Sequence, residues 1–568
     1  MKPVKSDQTG KPDKAHNLLQ PFQDIHLDYV RDESRTSGKA ETISFPKNEA
    51  EVQSIVKILL KQKIPFTIQG SRTGITGGAV PVKGHILNLS KMTNIMSLEQ
   101  DQNNKFSLRV QPGISLLELD QQIDAGRFDT DRWDQNSREV LEAFKKSDKL
   151  FWPPDPSEGS ASIGGIAANN SRGICAHYYG PARNHIKSIR VVDTNGEIQS
   201  IKRGQYVFSQ GLCPLPGGKK IQVDLNSPGP GSLDNPPDNY DLTGPWDLMD
   251  LYLGGEGMLG VITELTLSLQ PLPKEIWGIV FFFEALSQAI DFIQALETNQ
   301  TGPAQTDSIP TGPIQTGQNP IETKGSPTHM VAIEFMDQTT LECIREYKKT
   351  NSLLNEIPAW DTSLTTAVYI EIHGSSTEEV EELSMELLDT AGLCGNDPDD
   401  TWAFCGQAEI ERLRLFRHAA PESVNQFIDR ARQIDPRITK LGTDMALENA
   451  SLSEILEMYH RDLKAHGIKA AIFGHAADKH LHVNILPENY PQFIKARAII
   501  EDWAKIIHAK KGSVITEHGI GKIKKNLFLS IPLPQRLELI CKVKQQLDPL
   551  GLWNPGNMTD SIIQGRQQ

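Results

Sequence analysis

PFTIQGSRTGITGGAVPV, residues 65–82, is the stretch on which the fold turns. An apolar run with the β-branched content of a strand leads into Gly70, Gly74, Gly77 and Gly78, interleaved with Ser71, Thr73 and Thr76 and followed by Pro81. Such a loop exposes many backbone N–H groups beside hydroxyls, in conformations that glycine alone tolerates, and so forms a nest for a pyrophosphate. Taken alone it reads equally well as a tight surface turn, because its spacing is neither GxGxxG nor GxxxxGK[ST].

Two further segments repeat the pattern. WPPDPSEGSASIGGIAANNSRGICAHYYGPARNHI (152–186) carries Pro154 and Asp155, then Gly164 and Gly165, small Ala167 and Ala168, and Asn169, Ser171 and Gly173, a composition that lets backbone approach a flat ring system. LYLGGEGMLGVITELTLSL (251–269) passes from Glu256 and its flanking glycines through Gly260 into an alternating strand that opens with Val261 and Ile262, although a hairpin turn explains it singly. Around these segments the runs ETISF, PFTIQ, HILNL and FSLRV alternate with the amphipathic helix EAEVQSIVKILLKQ, which predicts an α+β unit. After residue 329 the order strand (HMVAIEFM), helix, strand (TAVYIEIHG), helix predicts a second unit with an antiparallel sheet that serves as a cap.

At 568 residues the chain exceeds one ordinary core, so two large units are expected. NSPGPGSLDNPPDN (226–239) reads as a loop insertion, placed at about 205–240, and the TGPAQT/TGPIQT stretch at about 300–328 as a disordered one. The formal net charge of −14 argues against nucleic-acid and anionic-membrane partners. The first twenty residues lack an apolar signal core and no run of about 18 apolar residues occurs, so a cytoplasmic protein is expected. Its six cysteines form no CxxC pair, which points away from a disulfide framework or a cysteine-ligated cluster.

Candidate chemistry concentrates in IFGHAADKHLHVNILPENY (472–490) and GSVITEHGIGKIKK (512–525). A strand period of two puts His480, His482 and Asn484 on one face, with His475 just before them and with Glu517 and His518 following a helix. A His/His/Glu set suits a divalent transition metal, Zn²⁺, Mn²⁺ or Fe²⁺. LRLFRHAAPESVNQF (413–427) offers arginines for a substrate carboxylate, Arg414 and Arg417 falling on one side of a helix. In ITKLGTDMAL (438–447), Lys440 is a candidate second cation and Asp444 a structural acid.

The three glycine segments in this order, with NPG at 554–556, resemble the vanillyl-alcohol-oxidase superfamily with its PCMH-type FAD domain, in particular the branch of D-lactate dehydrogenase, the glycolate oxidase flavin subunit and D-2-hydroxyglutarate dehydrogenase. The resemblance implies a two-part FAD-binding domain over residues 40–273 and a cap over 274–558 whose last part returns to the FAD domain, between an N-terminal segment (1–39) and a tail (559–568). It implies non-covalent FAD, with Gly70, Ser71, Arg72, Thr73, Gly74, Thr76, Gly77 and Gly78 around the pyrophosphate. Pro154, Asp155, Gly164, Gly165, Asn169, Ser171 and Gly173 would line the ring and ribityl chain, and Glu256, Gly260, Val261, Ile262 and Asn554 the remainder of the cofactor.

The family motifs GHxGDGNLH and EHGxG assign His475, His482 and Glu517 to the metal and His518 to the base; Arg417 stands where the family keeps an arginine for the carboxylate, Lys440 would add a second cation, and Asn484, in phase with His480 and His482, is placed in the catalytic site. Departures stand at Ala477, Lys479 and His480, where the commonest motif has Gly, Gly and Asn, and at Arg72, where a small residue or glycine is more usual. The implied reaction is oxidation of a D-2-hydroxy acid by hydride transfer to flavin, with a quinone, a cytochrome or an iron-sulfur protein as acceptor, in a homodimer or a hetero-subunit complex, peripheral to a membrane where the acceptor requires it. An alkylglycerone-phosphate-synthase-like transferase and a non-catalytic flavin subunit are the alternatives.

Overall fold

The computed structural model describes residues 18–208, 212–223, 247–300, 328–529, 531–533 and 535–558. The Pro/Gly cluster at 226–239 and the repeat stretch up to 327 lie outside the described residues, as do residues 1–17 and 559–568. None of the described helices is long and apolar enough to cross a membrane.

The first sheet has four strands in the order Gln20–Pro21, Thr42–Ser44, His85–Asn88, Phe66–Gln69, the last three mutually parallel. The predicted amphipathic helix, Glu49–Gln62, connects two of them and buries Val52, Ile55, Val56 and Leu59. It begins at Asn48, whose side chain accepts the Glu51 N–H, and ends where Lys63 turns left-handed at φ 54°. At the edge of this sheet Trp553 bridges in parallel to Phe66 and packs on it with ring centroids 4.6 Å apart.

A second, antiparallel sheet orders the strands Ile95–Gln100, Phe106–Val110, Gly260–Ser268, Ile186–Asp193 and Ile198–Lys202. Its central strand is the one predicted to follow the third glycine segment, so that segment is held at the middle of the sheet.

The third sheet is antiparallel throughout and has seven strands: Thr401–Cys405, Glu275–Phe283, Thr366–Gly374, His329–Met336, Ala470–His475, His480–Ile485 and Met445–Ala446. Helices cover both faces, which explains why IVFFF and TAVYIEI read as nearly continuous apolar runs. Val280 and Phe282 pack with Leu413 and Phe416 of the 28-residue helix Gln407–Ile434, whereas Ile279, Phe281 and Phe283 pack with Phe292 and Ile293 of Leu286–Gln300 on the other side. This sheet carries the histidines, and the glycine segments face them.

Candidate active site

A cavity of about 640 Å³ runs from the glycine loops to the cap sheet, a volume in the range of small-molecule sites. Gly70 through Gly74, Thr76 and Gly78 line it, with Gly164, Gly165, Asn169, Ser171, Glu256, Gly260, Ile262 and Asn554; at its other end stand Arg417, Lys440, His482, Asn484, Glu517 and His518. Two glycines are needed for packing: a Cβ on Gly70 would collide with the Ser162 hydroxyl, and one on Gly164 with Pro112. Gly74 differs, since a Cβ there would meet nothing within 4 Å. That open stretch of loop, beside Ser71 and Thr73, gives an extended polar cofactor room against bare backbone, so the residues fit FAD.

Several residues expected at the flavin stand off the cavity. Val261 is buried in the core with Phe66 and Val192. Asp155 accepts the Cys175 N–H at 3.3 Å and would collide with any side chain at Gly173, so the two lock the second segment together. Pro154 is buried next to Asp155, and Gly77 packs near Thr36, Lys522 and Ile523. Arg72 adopts φ 66°, the conformation for which glycine is usual, and its guanidinium lies 4.3 Å from the Tyr29 ring centroid, a stabilising contact glycine could not make. Lys479 is likewise left-handed, at φ 49°, so the hairpin turn keeps its shape without the motif's glycine.

The hairpin of Ala470–His475 and His480–Ile485 sets the polar end of the cavity. Around the Glu517 Oε2, His475 Nε2 stands at 3.2 Å, His482 Nε2 at 3.7 Å and His480 Nδ1 at 3.9 Å. The four donor atoms lie within 4.8 Å of one another. Each ring is held from its far side: His475 Nδ1 by Glu334, His482 Nδ1 by the Thr443 carbonyl at 3.4 Å, and His480 Nε2 by Asp444 at 3.0 Å. Three imidazoles and a carboxylate, oriented by outer partners, have the chemistry of a transition-metal site and fit the expected ion.

Asp444 also accepts the backbone N–H groups of Glu517 and His518, at 3.0 and 2.8 Å, and the Lys524 ammonium at 2.9 Å. Burial opposes its ionisation, but Lys524, His518 and His480 together outweigh it and hold the acid well below its ordinary value. Its contacts therefore hold Glu517 and His518 beside His480. Burial lowers His518 to about 4, leaving its ring neutral and stacked on His482 with centroids 4.7 Å apart. Burial would lower His475 too, but the two carboxylates Glu334 and Glu517 together outweigh it and lift the ring to about 10.

Of the three arginines, Arg417 reaches the cavity; it donates to Glu334 at 3.1 Å and to the Ser157 hydroxyl. Arg414 is taken up by Glu371 at 3.0 Å and Arg412 by Glu409 at 3.0 Å. Lys440, which burial lowers to about 8, donates to Asn425 at 2.9 Å. Sequence reasoning missed Glu334, although one acid in the apolar run HMVAIEFM is a legible sign. It also missed Arg172, which ties the second glycine segment to the hairpin through Asp478 at 2.9 Å.

Comparison with known proteins agrees with this geometry. Residues 40–131 and 138–202 match the FAD binding domain family, and residues 316–558 the C-terminal domain of FAD linked oxidases. The chain belongs to the FAD-linked oxidoreductases that join these two domains, and it is an enzyme of that class. It is 25% identical to a D-lactate dehydrogenase of Anaerostipes hadrus, covering 94% of this chain and 93% of that one. Identity to the glycolate oxidase subunit GlcD of Bacillus subtilis is 26%, over 91% and 88% of the two chains. In fold it is similar to the 4-ethylphenol oxidase of Gulosibacter chungangensis, with a TM-score of 0.59, 17% identity and 96% and 94% coverage.

Proposed function

We propose that this enzyme oxidises a D-2-hydroxy acid to the 2-oxo acid. What carries the reading is that one cavity joins the open glycine loop to two cations, Arg417 and Lys440, and to an uncharged histidine, His518. The names of the dehydrogenase and oxidase relatives support the same substrate class.

The loop Gly70–Gly78 would hold the FAD pyrophosphate, Gly164, Gly165, Asn169 and Ser171 the ring side, and Glu256, Gly260, Ile262 and Asn554 the rest. Binding is read as non-covalent: His177 is engaged by Asp478 at 2.7 Å and His185 by the Tyr179 carbonyl at 2.8 Å, and neither lines the cavity. His475, His482 and Glu517 would hold the metal. The chemistry that bound FAD supplies is hydride acceptance at N5, and that of Zn²⁺, Mn²⁺ or Fe²⁺ is polarisation of the substrate hydroxyl.

Arg417 binds the substrate carboxylate, its guanidinium aimed by Glu334 and Ser157, and Lys440 adds a second positive charge. Neutral His518 accepts the hydroxyl proton. Asn484 presents its amide to the substrate from the same strand face as His482. The electron acceptor is read as a quinone, a cytochrome or an iron-sulfur protein, with the enzyme in the cytoplasm or drawn to a membrane by that acceptor.

The test is an anaerobic titration of the flavin spectrum with D-lactate, glycolate and D-2-hydroxyglutarate. Bleaching by at least one acid is expected. A bound flavin that none of a broad set of 2-hydroxy acids reduces would overturn the reading.

A further inference from the structure

We propose that His480 is a fourth protein ligand of the metal, bound through Nδ1, so that this chain holds its ion with three imidazoles and a carboxylate. The inference rests on the metal reading above and goes beyond the two-histidine, one-glutamate set that the sequence motifs imply.

Three observations carry it. First, His480 is fully buried and, among the described residues, its Nδ1 has no hydrogen-bond partner. A buried imidazole nitrogen left without a partner keeps its full desolvation cost uncompensated, so a fold that keeps one needs something to occupy it. Second, that nitrogen points where the others point: it lies 3.9 Å from Glu517 Oε2 and within 4.8 Å of the donor atoms of His475 and His482. Third, the opposite nitrogen is fixed. Asp444 accepts from His480 Nε2 at 3.0 Å, which keeps the ring hydrogen on Nε2 and turns the Nδ1 lone pair toward the gap between the donors. The arrangement is a carboxylate–histidine–metal relay, the same device that Glu334 provides for His475.

A merely structural histidine would have its second nitrogen on a carbonyl or hydroxyl. The asparagine more usual at this position offers only an amide at the end of a short side chain, so the change to histidine adds a strong nitrogen donor. The consequence is tighter retention of the ion. Asp444 also receives the N–H groups of Glu517 and His518, so one carboxylate sets two ligands and the proposed base in register.

The experiment uses the full FAD-containing protein, stripped with a chelator and reloaded with one equivalent of zinc. X-ray absorption at the zinc edge counts imidazoles by their multiple scattering, and competition with a chromophoric chelator gives the affinity. Wild type is expected to show three imidazoles, and His480→Asn two, with affinity at least about tenfold weaker, since loss of an outer partner alone typically costs about 10–100-fold. Bound flavin absorbance confirms that the variant is folded, and the wild-type count decides the question without any variant. Tight zinc with two imidazoles in wild type would overturn the role of His480 and leave the His475, His482 and Glu517 reading standing. Zinc that binds no more tightly to wild type than to His482→Ala would overturn both.

Discussion

Two buried Glu–His–Arg clusters sit on the same face of the cap sheet, and only one of them adjoins the cavity between the glycine loops and the cap. Glu334 and Glu371 occupy neighbouring strands, and both are almost fully buried. Each meets a histidine and one of two arginines spaced three residues apart on the helix Gln407–Ile434: Glu334 has His475 and Arg417, and Glu371 has His373 and Arg414. Around Glu371 the network closes on itself. His373 Nδ1 is taken by the Tyr179 hydroxyl at 2.8 Å, Tyr369 donates to the carboxylate, and burial pushes the nearby Cys175 thiol well above its ordinary value. Cys175, Glu371 and His373 also bring ligand-type atoms within 4.8 Å of one another, yet Arg414 already supplies the positive charge there. Around His475 the far nitrogen faces Glu517 and the donor atom of His482, two residues that line the cavity. Buried charge does not mark function; convergence on a space left for something else does.

The comparison can be broken at several points. The largest effect is expected from His518→Ala, which should keep FAD and lower turnover by about 10²–10⁴-fold; stopped-flow flavin reduction measures it, and an unchanged rate would remove His518 from the chemistry. Next, Glu371→Gln should lower folding stability by about 1.5–3 kcal/mol, because Arg414 loses its buried partner and keeps only the exposed Glu411, while metal content stays at the wild-type level. Glu334→Gln also takes the buried partner from Arg417 and, unlike Glu371→Gln, should weaken metal retention about 10–100-fold. If both variants lose metal, the two clusters are one unit and the contrast fails.

A pH series sharpens the same contrast. Burial would raise Glu371, but Arg414, His373 and Tyr369 together outweigh it and hold the acid at about 2, against an ordinary value of 4.5. A depressed acid stabilises the fold fully above 4.5 and loses that contribution as pH falls toward 2, a span worth about 3 kcal/mol. Denaturation curves of Glu371→Gln should lack this part of the acid limb. A smaller change is expected from Arg417→Lys, which keeps the charge but not the fork: KM for the acid should rise about tenfold. Smallest is Arg72→Gly, where relief of the left-handed backbone and loss of the Tyr29 contact offset each other to within about 1 kcal/mol in a melting experiment.

Much of this was legible in the chain. The glycine segments, the strand–helix alternation and the period-two spacing of His480, His482 and Asn484 read directly as local geometry, and the choice among Arg412, Arg414 and Arg417 narrowed to the pair on one helix side. What the sequence could not supply were pairings across long separations. Glu334 meets His475 only because two strands 141 residues apart are neighbours, and Asp444 meets His480 and Glu517 for the same kind of reason. Asp155, Gly173 and Val261 pack behind the cavity, a placement that composition does not separate from facing a cofactor, because glycine-rich and small-residue segments look alike in both.

The bridge between Phe66 and Trp553 bears on how the chain is made. The Phe66 N–H donates to the Leu552 carbonyl at 2.8 Å, and Ile68 N–H to the Asn554 side chain, 486 residues further on, at 2.7 Å. On a ribosome moving at about 5–20 residues per second, the edge of the first sheet waits roughly 25–100 s for its last partner. Through that interval Phe66–Gln69 is an open strand edge of the kind that pairs with foreign chains. Its productive folding is a problem of timing, and slowing translation or withdrawing chaperones should show first as aggregation seeded at residues 66–69.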